Sequence, residues 1–197
     1  KFFGRIARNP RAENVVYGIS IVFLVCSLWL PPASAGTRVF HLDYPAISQA
    51  GGVVSTADGA QLLIPEGALS RQLRLQMTAI PTLGFLPGAG DTVVDAAAQA
   101  FPTGRATVKG GYVYRLHAYG PSPAEAILDL PLPEDLDPDT ADMYVWDKGQ
   151  WEWTPAHLLL EEGVIEAHLA SLPLVAAVVQ TRRLNPAVAV VLEEGSE

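Results

Sequence analysis

Short runs in which apolar and polar residues alternate recur along most of the chain. In residues 73–77 (LRLQM) every second side chain is apolar, which is typical of a β-strand with one face buried and the other in water. Gly, Pro and Asp separate the runs, as they do in turns. Beyond the first 37 residues no long stretch follows the 3.6-residue period of an amphipathic helix. The pattern predicts an all-β fold, an antiparallel β-sandwich.

The alternating runs also give the expected bounds of the strands. They predict strands at residues 38–42, 52–55, 61–64, 73–80, 112–119, 126–130, 143–146, 151–154, 158–161, 164–169 and 174–180. Residues 81–109 contain several Gly and Pro around an Ala-rich patch, which predicts a long loop with one helical turn at 94–100.

A different pattern occupies the N-terminal region, where no residue between Asn14 and Thr37 is charged. A stretch of this length and hydrophobicity predicts a transmembrane helix over residues 14–33, ahead of the sandwich. The residues predicted to face membrane lipid are Val15, Val16, Ile19, Val22, Phe23, Leu24, Leu28, Trp29 and Leu30. Basic residues dominate positions 1–13, so the positive-inside rule predicts a cytoplasmic N-terminus and a periplasmic or extracellular main domain.

The same N-terminal region also has the features of a cleavable secretory signal. Basic residues precede an apolar run, and Ala33-Ser34-Ala35 before Gly36 is a typical cleavage site. We take a retained signal-anchor as the prediction and cleavage after Ala35 as the alternative. The expected organisation is a cytoplasmic segment (1–13), a transmembrane helix (14–33), a linker with a first strand (34–48), the sandwich (49–180) and a tail (181–197).

The composition excludes several classes of function. The formal net charge is −8, with 13 basic and 21 acidic residues, so nucleic acid is not an expected partner. A single cysteine, Cys26, excludes a disulfide framework within the chain. The expected partners are membrane lipid and other membrane-protein subunits, and no small-molecule substrate is evident.

Four aromatic residues crowd one predicted hairpin. If Lys148 and Gly149 form its tip, Trp146 lies opposite Trp151 and Tyr144 lies opposite Trp153. Two alternatives follow: the rings fill the core and cover an edge of the sandwich, or they form an exposed strip that docks a partner. The candidate interface residues are Tyr144, Trp146, Trp151 and Trp153, with Val188 and Val190 in an apolar tail that is either a last edge strand or a strand pairing with another subunit.

The sequence predicts no catalytic residue, no metal site and no cofactor. The acidic loop 134–142 is the best calcium candidate, but Trp146 stands where an EF-hand loop needs its bidentate glutamate, so a solvated loop is the expected reading. The four histidines lack the spacing that would bring two imidazoles together on one helical face.

Several segments together resemble a known family. Residues 51–54 (GGVV), 58–59 (DG) and 63–69 (LIPEGAL), followed by 143–147 (MYVWD) and Trp151, resemble a ZU-type β-sandwich, the domain of ankyrins and netrin receptors that also occurs in bacterial exported proteins. The resemblance implies a module for protein interaction or a spacer, rather than an enzyme. Some members cleave themselves at a His-Phe-Ser segment, but the nearest match here has Leu169 where the histidine should stand, so self-cleavage is not expected.

These observations predict a non-enzymatic, single-pass membrane subunit whose exported sandwich makes structural protein contacts. An accessory subunit of a respiratory, photosynthetic or transport complex fits this description. The alternative is an exported carbohydrate or cell-wall binding module that uses the tryptophan hairpin.

Overall fold

The fold is taken from a computed structural model. It describes residues 10–29, 43–88, 90–102, 106–107, 110–134, 136–181 and 189–190. The chain divides into two compact units, Lys1–Tyr44 and Pro45–Glu197. The predicted strand at 38–42, the predicted lipid-facing Leu30 and the interface candidate Val188 lie outside the described residues.

The first unit contains helix α1, Pro10–Trp29. Its apolar side chains between Tyr17 and Val25 are all about half or more exposed, up to 75% for Phe23. In the part of the chain that the structure describes, no helix has both the length and the apolar character that crossing a membrane requires. The predicted transmembrane helix over residues 14–33 is therefore not supported by the described helices.

The second unit is built almost entirely from antiparallel strands. They are β1 (Ala46–Ile47), β2 (Gly52–Ser55), β3 (Gln61–Ile64), β4 (Leu73–Pro81), β5 (Ala106–Thr107), β6 (Tyr112–Tyr119), β7 (Ala126–Pro131), β8 (Ala141–Asp147), β9 (Gln150–Thr154), β10 (His157–Leu159), β11 (Val164–Leu169), β12 (Val175–Gln180) and β13 (Ala189–Val190). Helix α2 (Thr92–Gln99) lies between β4 and β6, and 3₁₀ turns occupy Thr82–Gly84 and Pro138–Thr140. The all-β prediction is confirmed.

The described strands form two sheets. Sheet I has the order β1-β4-β6-β12-β8-β9, with β5 also paired to β12, and sheet II has the order β13-β10-β11-β7-β3-β2. Predicted and observed bounds agree within three residues at either end for every predicted strand that lies in the described part. The strand at β13 pairs parallel with β10, so the edge-strand reading of the tail holds for Ala189 and Val190.

The two sheets bury a common apolar core because each strand directs every second side chain inward. Leu62, Leu75, Leu116, Leu128 and Ile165 are among the residues that this core buries almost completely. The other face of sheet I is also covered, since Val113, Val175 and Val179 belong to a second buried cluster with helix α2. The expectation that the alternating strands have one face in water is therefore wrong for β6 in the middle of sheet I, where Val113 is buried on the outer face.

Candidate functional site

The aromatic hairpin has the predicted register. Its tip is Lys148 and Gly149, both with positive φ (49° and 87°), the backbone conformation of a two-residue hairpin turn. Tyr144 lies opposite Trp153, and Trp146 lies opposite Trp151. The rings of Trp146 and Trp151 are 5.7 Å apart between centroids, a cross-strand aromatic pair.

The four rings are not an exposed strip. Tyr144 and Trp146 are only 5% and 4% exposed, while Trp151 and Trp153 are half-buried at the edge of the same cluster. Of the two alternatives, the observed one is that two rings are buried and the other two cover an edge, so an exposed docking strip is wrong for Tyr144 and Trp146. These two rings are buried because another segment of the chain packs over them. The alternating pattern of strands β8 and β9 does not reveal that segment.

We call this segment the cap: helix α2 with Phe85 before it and Phe101 after it. Phe85 and Phe101 each meet the ring of Trp151 edge-on, with centroid distances of 6.2 and 5.4 Å. The indole N–H of Trp151 donates to the carbonyl oxygen of Ala97 in helix α2 at 2.8 Å. At the other end of the hairpin, the indole N–H of Trp153 donates to Asp142 at 3.2 Å. The indole N–H groups of Trp151 and Trp153 therefore both make hydrogen bonds within the domain.

An ion pair connects the start of the cap to sheet I. Asp91 is the N-cap of helix α2 and accepts hydrogen bonds from the amides of Val93 and Val94 at 2.8 and 3.2 Å. Its other carboxylate oxygen lies 3.1 Å from Nε of Arg115 on strand β6. Burial by itself would raise the pKa of Asp91, but the two amides and the Arg115 guanidinium together hold that pKa below its ordinary value.

Arg115 is buried on the outer face of sheet I and makes further hydrogen bonds in addition to this ion pair. Its guanidinium donates to the carbonyl oxygen of Leu174 at 3.0 Å and to that of Leu116. His117, two residues along the strand, has Nε2 3.9 Å from Asp91. Sequence reasoning missed this cluster, although Asp91 followed by an apolar run is a helix-start signal.

The outer face of sheet II, in contrast, is open. We call this surface the open face, and its apolar row joins Val53, Leu63 and Ile127 across three neighbouring strands. Val53 is 55% and Leu63 is 36% exposed, so the described part of the chain leaves both uncovered. An apolar row on an exposed sheet face is a feature of interaction surfaces.

A polar row runs beside the apolar row on the open face. Gln61, Asp129, Glu166 and His157 are successive cross-strand partners on β3, β7, β11 and β10. Asp129 and Glu166 are thus two like charges directly opposite each other, an unfavourable pair. The six described strands of sheet II, β2, β3, β7, β10, β11 and β13, contain no Lys or Arg.

Within this row, the surroundings of Asp129 disfavour the ionised form of its carboxylate. Burial, and then the charges of Glu166 and Glu162, raise the pKa of Asp129, with a partial opposing effect from His168. Its Oδ1 atom is buried and has no hydrogen-bond partner among the described residues. The imidazole of His168 lies between two other carboxylates, with its ring nitrogens 3.4 Å from Glu125 and from Glu166. The open face is therefore acidic as well as apolar.

The remaining predicted sites are placed as follows. In the loop 134–142, Asp137 accepts a hydrogen bond from the amide of Asp139 and begins a 3₁₀ turn, and the described residues contain no grouping of three or more His, Cys, Asp or Glu suited to a metal ion. The predicted lipid-facing residues Ile19, Val22, Phe23 and Leu24 are exposed on helix α1, whose backbone also includes Val15, Val16, Leu28 and Trp29.

Comparison of the chain with protein-family models and with curated proteins gave no match. The resemblance to a ZU-type sandwich thus stays a prediction.

Proposed function

We propose that this protein is a non-enzymatic subunit, attached to a membrane through its N-terminal region, whose exported sandwich makes structural contacts with a neighbouring protein through the open face. The observation that carries the proposal is the difference between the two sheets. The outer face of sheet I is covered by the cap, whereas the apolar row on sheet II has no cover in the described part of the chain. Apolar surface left in water favours burial against a partner.

The charges of the open face indicate what kind of partner fits. Asp129 and Glu166 lie opposite each other on β7 and β11 beside the apolar row, and Glu125 lies 3.4 Å from His168 on β11. A Lys or Arg side chain from a partner, placed beside Asp129 and Glu166, would relieve the repulsion between these two carboxylates. We therefore commit to an apolar protein surface with a basic rim as the occupant of the open face.

The membrane part of the proposal depends on the apolar segment of helix α1, although the described helix does not meet the requirement for crossing a membrane. Successive residues of an α-helix point about 100° apart, so the exposed apolar residues between Ile19 and Val25 face every direction around the helix axis. A helix that is apolar on all sides favours an apolar environment such as lipid or other helices.

The tryptophan hairpin is not the binding surface in this proposal. Tyr144 and Trp146 are covered by the cap, and the indole nitrogens of Trp151 and Trp153 donate within the fold. The carbohydrate-binding alternative, in the form that uses this hairpin, is therefore not carried forward.

Photocrosslinking tests the open face. With a photoreactive amino acid at Leu63 in cells, we expect one adduct of defined mass, while the same amino acid at Leu83, which is 87% exposed in the loop before the cap, gives none. Because the partner's rim is basic, Glu166→Lys should lower the crosslinking yield at position 63 by about tenfold and Glu166→Gln by less. Crosslinking that is equal at both positions, or insensitive to Glu166→Lys, would contradict the proposal. An adduct with twice the mass of the chain would identify a second copy as the occupant instead.

The single cysteine tests the attachment without any substitution. Cys26 is exposed on helix α1, so a thiol reagent reaches it unless lipid or other helices cover it. In sealed membrane vesicles we expect a membrane-impermeant maleimide to leave Cys26 unlabelled, and we expect full labelling after detergent is added. Equal labelling before and after detergent would show that the helix lies in water and would end the membrane part of the proposal.

A further inference from the structure

Strand β2 is the last strand of sheet II, and in the described part of the chain one of its two sides has no neighbouring strand. It pairs with β3 on the other side. At the opposite end of the same sheet, β10 is paired on both sides, with β11 and with β13. We call the unpaired side of β2 the open edge.

The register of the β2–β3 hairpin shows which backbone groups face the open edge. The amide of Thr56 donates to the carbonyl oxygen of Ala60 at 2.9 Å, so these two residues form a hydrogen-bonded pair. Hydrogen-bonded and non-hydrogen-bonded pairs alternate along an antiparallel ladder, so Val54 is the next residue whose backbone bonds to β3. Val53 and Ser55 therefore direct their amide and carbonyl groups away from β3, to the open edge.

The residues of β2 do not protect this edge. Edge strands of natural proteins usually carry a charged residue or a proline that keeps other strands away. At one edge of sheet I, for example, β9 carries the exposed Glu152. Strand β2 reads Gly-Val-Val-Ser and has neither a charge nor a proline, and the side chain of Val53 is 55% exposed. The open edge is thus suited to pairing with a further strand.

An added strand would also extend the open face. Val53 lies opposite Leu63 at the end of the apolar row, and Ser55 lies opposite Gln61 at the end of the polar row. Residues two positions apart on a strand point to the same face. A segment paired with β2 therefore continues both rows when it has an apolar residue beside Val53 and a polar residue beside Ser55.

The charges near the open edge favour a basic segment. Residues 45–70, which form β1 to β3, contain Asp58 and Glu66 and no Lys or Arg. Asp58 lies in the turn after β2, and the backbone of Glu66 packs against Gly51 just before β2. A second copy paired antiparallel through its own β2 would bring Asp58 of one copy toward Glu66 of the other, two like charges. A segment with Lys or Arg near its ends would instead be attracted.

We infer that the partner of the open face adds an extended segment to β2 as a further strand of sheet II. The amide and carbonyl groups of Val53 and Ser55 bind the backbone of this segment, which has an apolar residue beside Val53 and Lys or Arg near its ends. The inference rests on the proposed contact at the open face and specifies the form of its partner.

Proline substitution tests the open edge in the crosslinking assay at Leu63. Proline has no amide hydrogen, and its ring fills the space from which the N–H would donate. Ser55→Pro should therefore lower the yield of the partner adduct about tenfold, whereas Ser55→Ala, which keeps the amide, should leave it unchanged. Val53→Pro should likewise lower the yield more than Val53→Ala does. Since neither amide takes part in the β2–β3 pairing, we expect all four variants to fold, and thermal unfolding followed by circular dichroism checks this.

Hydrogen exchange tests the same backbone groups without any substitution. In the complex extracted from cells, the amides of Val53 and Ser55 should exchange about tenfold more slowly, or slower still, than in the chain alone. The amide of Gly149, in the exposed tip of the aromatic hairpin, should exchange equally in both samples.

The possible failures are distinguishable. If proline at both positions leaves the yield at Leu63 unchanged, or if the two amides exchange equally in the complex and in the free chain, strand addition is wrong and the contact at the open face stands. If the original chain gives no adduct at Leu63, both the proposed function and this inference are wrong. An adduct with twice the mass of the chain that is lost in Ser55→Pro would show that β2 pairs with a second copy and would overturn the basic partner segment.

Discussion

Replacing Trp146 by alanine should lower the free energy of unfolding by about 3 to 5 kcal/mol, the usual cost of removing a large aromatic side chain from a packed core. Trp146 is 4% exposed and contacts the ring of Trp151 beneath the cap. Loss of the indole would leave a space between sheet I and the cap that the surrounding residues fill only in part. Urea unfolding of the full chain, followed by circular dichroism, measures the effect.

Trp153→Ala is the matched control on the same hairpin. Trp153 is half-buried, so its removal should cost about 1 kcal/mol, mostly through the lost hydrogen bond to Asp142 and some lost contact. Equal costs for the two variants, or a larger cost for Trp153, would mean that the cap does not cover Trp146.

Replacing Arg115 by methionine should cost about 2 kcal/mol at neutral pH. The variant keeps the approximate length of the side chain but removes the guanidinium beside the carboxylate of Asp91. It also removes one of two donors to the carbonyl oxygen of Leu174, which keeps the amide of Leu116. We place the cost at the low end for a broken ion pair because the Asp91 side chain is 33% exposed and water screens its charge.

The pH dependence distinguishes this ion pair from ordinary packing. The pKa of Asp91 is lower in the folded protein than in the unfolded chain, so its contribution is present above the ordinary value of 3.8 and is lost as the pH falls through the lower folded value. As the pH is lowered below about 5, the free energy of unfolding should therefore decrease less steeply in Arg115→Met than in the original chain. Asp91→Asn is the control, because an asparagine still accepts from the amides of Val93 and Val94. It should remove the same pH dependence, and an unchanged dependence of the unfolding free energy on pH below about 5 in both variants would contradict the assignment.

The strands of the sandwich could be predicted from the sequence because their bounds depend on local information. In β4 and β11 the alternation of apolar and polar residues, together with the glycines and prolines between strands, marks where each strand starts and ends. The hairpin register followed in the same way, since a two-residue tip at Lys148 and Gly149 fixes which residues lie opposite each other.

The cap and its ion pair could not be predicted because they depend on residues far apart in the chain. Asp91 meets Arg115 across 24 positions, and Ala97 meets Trp151 across 54. One sequence signal was available: β12 reads Val175-Ala176-Ala177-Val178-Val179 without a polar residue, which is typical of a strand covered on both faces. The open face was also missed, because alternation tells which residues point away from the core but not whether another element covers them.

The cap is a single connection between two neighbouring strands. Pro81 and Tyr112 are cross-strand partners, and the amide of Thr82 donates to the carbonyl oxygen of Gly111 at 3.0 Å, so the chain leaves and re-enters sheet I at the same place. The segment 82–111 is thus an insertion into a β-hairpin. A shorter loop there would keep every strand pairing of β4 with β6 while turning a three-layer domain into a plain two-layer one. The buried aromatic surface would then become available to a different molecule, which gives this scaffold a simple route by which evolution or design can exchange a self-contact for a new partner.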